Sequence, residues 1–151
     1  MVKSTTHGIQ TVDVLDELSG RRVTLLDTPE FDDEEGATDV MKEITEFSIT
    51  QYDTIRNVNG LIYMHSVANS RIGGLGASNQ KWFSNLSDSN TFSNVVVLTT
   101  FWDDQSAWNG KGEERENELK LNLHQLANGG AVFMRHDKTL LSARRVLKHL
   151  V

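Results

Sequence analysis

No cysteine occurs among the 151 residues. Disulfides, thiolate zinc sites and thiol catalysis are thereby excluded. No stretch approaches the roughly 20 apolar residues that a membrane helix needs. The opening MVKSTTHGIQ also lacks the apolar segment of a signal peptide. The expectation is a cytoplasmic protein with no membrane partner. Basic charge is short as well: 15 Lys and Arg face 21 Asp and Glu, a formal net charge of −6. A generic binder of nucleic acid or anionic membrane needs the opposite sign. The cations that do cluster, Arg144, Arg145, Lys148 and His149, read as a solvated helix end. There is no internal repeat, no low-complexity tract and no linker. No Ser-His-Asp arrangement, glycine-flanked nucleophilic serine or zinc-spaced histidine pair stands out.

What is present fits one soluble domain spanning residues 1–151. A chain of this length buries roughly two-thirds of its unfolded surface. Ile9 to Leu18 alternates apolar and polar, the mark of a half-exposed strand. Ser19-Gly20 is a turn signal, and Arg22 to Asp27 is a short apolar strand, so the pair predicts a hairpin. Thr38 to Val58 carries helical spacing and ends at Asn59-Gly60. Then come a strand at Gly60–His65, a helix at Ser78–Leu86 and a strand at Asn94–Thr100. A helix at Glu113–Ala127, a strand at Ala131–Met134 and a closing helix at Thr139–Val151 complete the chain. Continuous apolar runs such as Val95–Leu98 belong to strands covered on both faces. The predicted architecture is therefore an α/β three-layer sandwich with a mostly parallel sheet. In such sheets ligands sit at the carboxyl ends of the strands. The corresponding loops are Thr28–Glu35, Ser66–Gly76, Phe101–Gly112 and Arg135–Lys138.

The first of these loops follows the stretch RVTLLDTPEFDD. It holds the only proline, Pro29, and five carboxylates between Glu30 and Glu35. The stretch resembles the strand-to-switch motif of P-loop GTPases, a hydrophobic run followed by DTPGFDD. STTHGIQ is similar to the segment around the first switch threonine. GLIYMHSVANSRIGGLGASNQKWFSNL, NVVVLTTFWDD and GAVFMRHDKTLLSARRVL resemble, in order, further segments of a fungal family of GTPase-like domains related to septins and immune-associated GTPases. The resemblance covers nearly the whole chain and implies a G-domain-like fold.

It also implies roles. Asp27 would hold Mg²⁺ through water, and Thr6, the switch threonine, would reach the same ion. Thr28 beside Asp27 joins the nucleotide side, and Trp102 and Asp103 occupy the base-recognition position. Read from the residues alone, Arg71 with Gly73, Gly74 and Gly76 could clamp a phosphate. The bare residues allow other readings: Trp102 as a packing residue, and the glycine cluster as an ordinary loop.

Three departures limit GTP or GDP binding. No G-x-x-x-x-G-K-[ST] motif occurs, so no lysine or amide nest of that type grips the β- and γ-phosphates. The chain starts five residues before Thr6, which implies a truncated G domain missing its first strand and phosphate loop. Glu30 replaces a glycine, and like charges about 4 Å apart cost roughly 1 kcal/mol in water and more in a drier cleft. Thr99-Thr100-Phe101-Trp102-Asp103 has no Asn-Lys-x-Asp. The expected function is a nucleotide-binding-like module of GTPase type with hydrolysis impaired or lost.

Two alternatives stand beside it. Asp27, Glu30, Asp32 and Asp33 are enough carboxylates for Mg²⁺ or Mn²⁺ in a metal-dependent nuclease or phosphodiesterase. There Asp27, Glu30 and His65 would be catalytic, with His65 the best placed of the candidate bases His7, His65 and His136, and Asp32 and Asp33 would hold the metal with Asp27. Nucleic acid is a partner only in that reading. The acidic run also reads as a solvated loop, and His65 as a structural hydrogen-bonder. The third reading is an interaction module that self-associates through exposed strands. Without the absent central strand, Arg22–Asp27 and Gly60–His65 are expected either to pair directly or to be bridged by a second copy.

Overall fold

The computed structural model describes residues 10–28, 59–68 and 92–151. The chain divides into two compact units, Met1–Val58 and Asn59–Val151. The helices expected at 38–58 and 78–86 lie outside the described residues.

In the first unit, β1 (Gln10–Asp16) and β2 (Arg21–Asp27) pair antiparallel, with Val12 opposite Leu25 and Val14 opposite Val23. The hairpin predicted from the alternation is present. Its turn is built by Asp16. The backbone carbonyl of that residue accepts from Gly20 N–H at 2.8 Å, and its carboxylate accepts from the amides of Leu18 and Ser19. Gly20 supplies the left-handed conformation, φ 69°, that closes the loop. Cross-strand partners share a face, so Val12, Val14, Val23 and Leu25 form one apolar patch. On the other face Thr24 donates its hydroxyl hydrogen bond to Asp13, at 2.7 Å. No residue of this hairpin is buried.

The second unit is mixed α/β. Three strands, β3 (Leu61–Ser66), β4 (Val95–Thr100) and β5 (Val132–Arg135), run parallel in the order β3-β4-β5. Helices α1 (Lys111–Asn122), α2 (His124–Asn128) and α3 (Leu140–Leu150) accompany them. The register puts Ile62, Val96 and Val132 in one row, and Met64, Leu98 and Met134 in the next row on the same face. Val146 and Leu150 of α3 pack there, against Ile62, Val96, Leu98 and Met134. The opposite face carries Tyr63, Val97 and Phe133, then His65, Thr99 and Arg135. α1 covers that side: its Glu116 binds Arg135, and Lys120 lies over the Phe133 ring. Every residue of β4 is buried, the pattern of a strand covered on both faces. No helix among the described residues is long and apolar enough to cross a membrane.

The hairpin ladders β2 to β1, and β3 is laddered to β4. One expectation is corrected. The single helix at Glu113–Ala127 is two helices that break at Leu123, where φ is −105° and ψ is 28°. Leu119, Leu123 and Leu126 are all fully buried across the break, and the His124 imidazole lies 3.0 Å from the Leu121 carbonyl, beside the break.

Candidate functional site

The carboxyl ends of β3, β4 and β5 meet at one edge of the parallel sheet, and their exits are tied to one another. From β3, Val67 N–H donates to the Thr100 carbonyl at 3.0 Å. The Arg115 guanidinium donates to the Val67 carbonyl at 2.6 Å, and the Ser106 hydroxyl lies 3.1 Å from the Ala68 carbonyl. Asp104 caps the short 3₁₀ turn Gln105–Ala107 by accepting from Ser106 N–H at 2.9 Å. That bond and the Ser106 hydroxyl hold its carboxyl below the usual range. From β5, His136 N–H donates to the Thr99 carbonyl at 2.8 Å.

Trp102 sits where three contacts converge. Its indole N–H donates to Thr99 Oγ1 at 3.1 Å, and the Arg135 guanidinium lies 4.0 Å from its ring centroid. Gly112 brings the backbone of α1 against the ring: a Cβ there would lie 2.9 Å from Trp102 Cζ3 and 3.0 Å from the Ala107 carbonyl. Arg135 in turn makes a two-pronged bond to Glu116, at 2.9 and 2.7 Å. Such forks are strong and orient both partners. The Arg135 fork holds the buried Glu116 carboxyl below its ordinary value, and Glu116 raises that of Arg135.

Asp103 points along the same edge. It accepts from the Lys138 ammonium at 2.9 Å, which keeps its carboxyl below the usual range. The same ammonium lies 5.2 Å from the Phe101 ring centroid. Phe101 and Lys138 both adopt left-handed backbone, with φ of 61° and 65°. For a bulky residue such as phenylalanine this is a true outlier. Each such residue costs on the order of 1–3 kcal/mol, and such outliers cluster at ligand clamps and switches. Neither position carries the Gly or Asn that would announce it in the sequence. Glu116 was equally hidden, being one of several acids in a charged helix.

The next residues form a second polar knot. The Ser142 hydroxyl and His136 Nδ1 are 2.7 Å apart, and Asp137 accepts from Thr139 N–H at 3.0 Å and from the Thr139 hydroxyl. These bonds push the Asp137 carboxyl down to about 2. Thr139 is the N-cap of α3, accepting from Ser142 N–H. Ser142 is fully buried, so this knot caps a helix and offers no exposed nucleophile.

His65, next to last in β3, lies in the row His65-Thr99-Arg135. Its Nε2 is buried and finds no hydrogen-bond partner among the described residues. Burial lowers the pKa of the ring. Burial likewise raises the Tyr63 phenol, two residues earlier on the same face.

His65, Trp102 and Asp103 thus share one edge, with His65 and Trp102 linked through Thr99. Asp27 and Thr28 end the hairpin in the other unit, Asp27 exposed and Thr28 half-buried. Thr6, Glu30, Asp32, Asp33 and Arg71 lie outside the described residues. Of the metal set only Asp27 is described, and no group of three or more His, Asp or Glu able to hold a metal occurs among the described residues. One carboxylate is a sufficient protein contribution for a Mg²⁺ that keeps its waters and takes phosphate oxygens from a ligand.

Comparison with family models, with curated proteins and with solved structures gave no match in any of the three.

Proposed function

We propose that the chain is a nucleotide-binding-like module on a G-domain-type α/β sandwich, with weak guanine-nucleotide binding and hydrolysis impaired or lost. The observation that carries this reading is the shared edge of the parallel sheet. Three consecutive strand exits meet there, a helix covers each face, and two side chains at the edge are held in left-handed backbone. Open α/β sheets bind ligands at such edges. The order of the GTPase-like segments along the sequence supports the same reading. Impaired hydrolysis is what the resemblance implies for a sequence with Glu30 in place of the motif's glycine, since a carboxylate at that position would oppose a terminal phosphate. Asp27 is the residue that would hold Mg²⁺, which neutralises phosphate charge when bound.

Calorimetry with GTP and GDP, with and without Mg²⁺, tests the reading. Heat of binding at micromolar nucleotide supports it, and silence up to millimolar sinks it. A second reading, self-association, is favoured by the hairpin, where Val12 and Leu15 are about three-fifths exposed, at 59% and 62%. Sedimentation showing a strict monomer at high concentration overturns that one. The phosphodiesterase alternative draws on residues 30–35, outside the described residues, and no described feature favours it.

A further inference from the structure

Among the described residues the edge holds three cations, Arg115, Arg135 and Lys138, and the first two are committed to partners. Arg115 is bound to the Val67 carbonyl at 2.6 Å. Arg135 is forked onto Glu116 and stacked on Trp102. Lys138 differs. Its side chain is 58% exposed, and its counter-ion Asp103 is 66% exposed. Water reaches both partners, so the bond between them is weak. Asp103 is also crowded by the neighbouring Asp104 charge. Yet Lys138 is not loose, because its backbone is fixed in left-handed geometry and its ammonium is aimed by the Phe101 ring, 5.2 Å from the centroid.

The edge therefore presents a pre-aimed cation covered by a detachable carboxylate. We propose that the Lys138–Asp103 pair is a displaceable clasp. A small phosphate-class anion takes the place of Asp103 on the Lys138 ammonium and releases the Asp103 carboxylate, while the His136 N–H bond to the Thr99 carbonyl keeps the exits of β4 and β5 joined. The proposal rests on reading this edge as the ligand site, but not on the ligand being a guanine nucleotide. No bond is made or broken; one ionic partner replaces another. A polyphosphate carries more charge than a carboxylate, so the exchange runs toward it at low salt and is screened at high salt.

The test is a titration of isotope-labelled protein at low ionic strength with inorganic pyrophosphate, GDP and guanosine in separate arms, followed by NMR. Pyrophosphate and GDP are expected to shift Lys138, Asp103 and Phe101 together; guanosine, having no phosphate, should not. Asp103→Asn removes the competitor and should tighten pyrophosphate binding about 2- to 5-fold, the range of an exposed ion pair. Lys138→Gly keeps the left-handed backbone comfortable, so the fold is retained, and it should abolish the response. A purely structural pair predicts the reverse, with Lys138→Gly still binding and Asp103→Asn indifferent. Either result overturns the clasp, as does silence of both the wild type and Asp103→Asn up to millimolar pyrophosphate. If pyrophosphate binds as described while nucleotide calorimetry is silent, the nucleotide reading falls and the clasp stands. If nucleotide binds but Asp103→Asn brings no gain, the clasp alone falls.

Discussion

The hairpin and the parallel sheet use similar strands to opposite ends. β1 and β4 are of nearly equal length, seven and six residues, and both are rich in valine and leucine. Yet Val12 of β1 is 59% exposed, while Val96 and Val97 of β4 are fully buried. The difference lies in cover, and the polar residues that alternate through β1 but not through Val95–Leu98 match it. β4 has a strand on each side and a helix on each face, whereas among the described residues β1 and β2 have only each other in their sheet. A two-stranded ribbon by itself is marginal in water. Apolar side chains stabilise a fold only where something excludes water from them. The largest predicted effect follows. Leu119→Ala, at a fully buried site under the sheet, should cost about 2–5 kcal/mol. Leu15→Ala in the hairpin should stay within about 0.5 kcal/mol. Urea unfolding of the two variants checks this, and equal losses would break the comparison.

Next in size is the Arg135–Glu116 fork, which the hairpin has nothing to match. Arg135→Ala strands Glu116, 7% exposed, without its main partner. A stranded charge this hidden costs about 1–3 kcal/mol; the larger values for fully buried pairs do not apply, because Arg135 is itself half exposed. The pH dependence has a definite sign. The folded carboxyl sits below its ordinary value of 4.5 because of Arg135. The stabilisation is therefore complete above that value and is lost as the pH falls through the folded pKa. Wild type and Arg135→Ala should differ at pH 7 and converge as the pH falls well below 4.5.

Gly112→Ala probes the seat of Trp102. The new methyl would meet the indole at 2.9 Å and the Ala107 carbonyl at 3.0 Å. One contact is with backbone, so the ring or α1 must move. The expected loss is about 1–3 kcal/mol, with a change in tryptophan near-ultraviolet dichroism. Intact dichroism would mean that the edge is softer than its contacts suggest.

These contacts separate what was legible in the sequence from what was not. Period-2 alternation and a Ser-Gly turn gave the hairpin, and the run Val95–Leu98 gave a doubly covered strand, because burial demands are written in side-chain polarity. That the carboxyl ends of β3, β4 and β5 meet at one edge followed from strand and helix order. The joints of that edge were not readable. Phe101 and Lys138 in left-handed backbone have the wrong residue types for that conformation, and only the fold imposes it. Glu116 finds Arg135 nineteen residues later, one acid chosen from several. The break at Leu123 is set by three leucines reaching one core, a tertiary demand that overrides helical spacing.

The smallest effect is the acid response of His65, and it sharpens the contrast between the two units. Residues 10–28 contain no histidine, whereas His65 stands at the end of β3 with its Nε2 buried and unpaired among the described residues. Burial lowers its folded pKa below 6.5. Above 6.5 both folded and unfolded forms are neutral, and pH has no effect through this group. Below it the unfolded chain takes up a proton that the folded chain resists. Stability should therefore decline as the pH falls from about 6.5 towards the folded value, at no more than about 1.4 kcal/mol per pH unit. Other histidines titrate in the same range, so the informative quantity is the difference between wild type and His65→Gln, which should be flatter. Amide exchange locates the effect: protection in β3 and β4 should fall between pH 7 and pH 5.5, once the intrinsic rate is corrected, while β1 and β2 should not change. Equal slopes in the two proteins would show that water or a neighbouring group already serves Nε2, and that the covered end of the sheet is wetter than its burial implies.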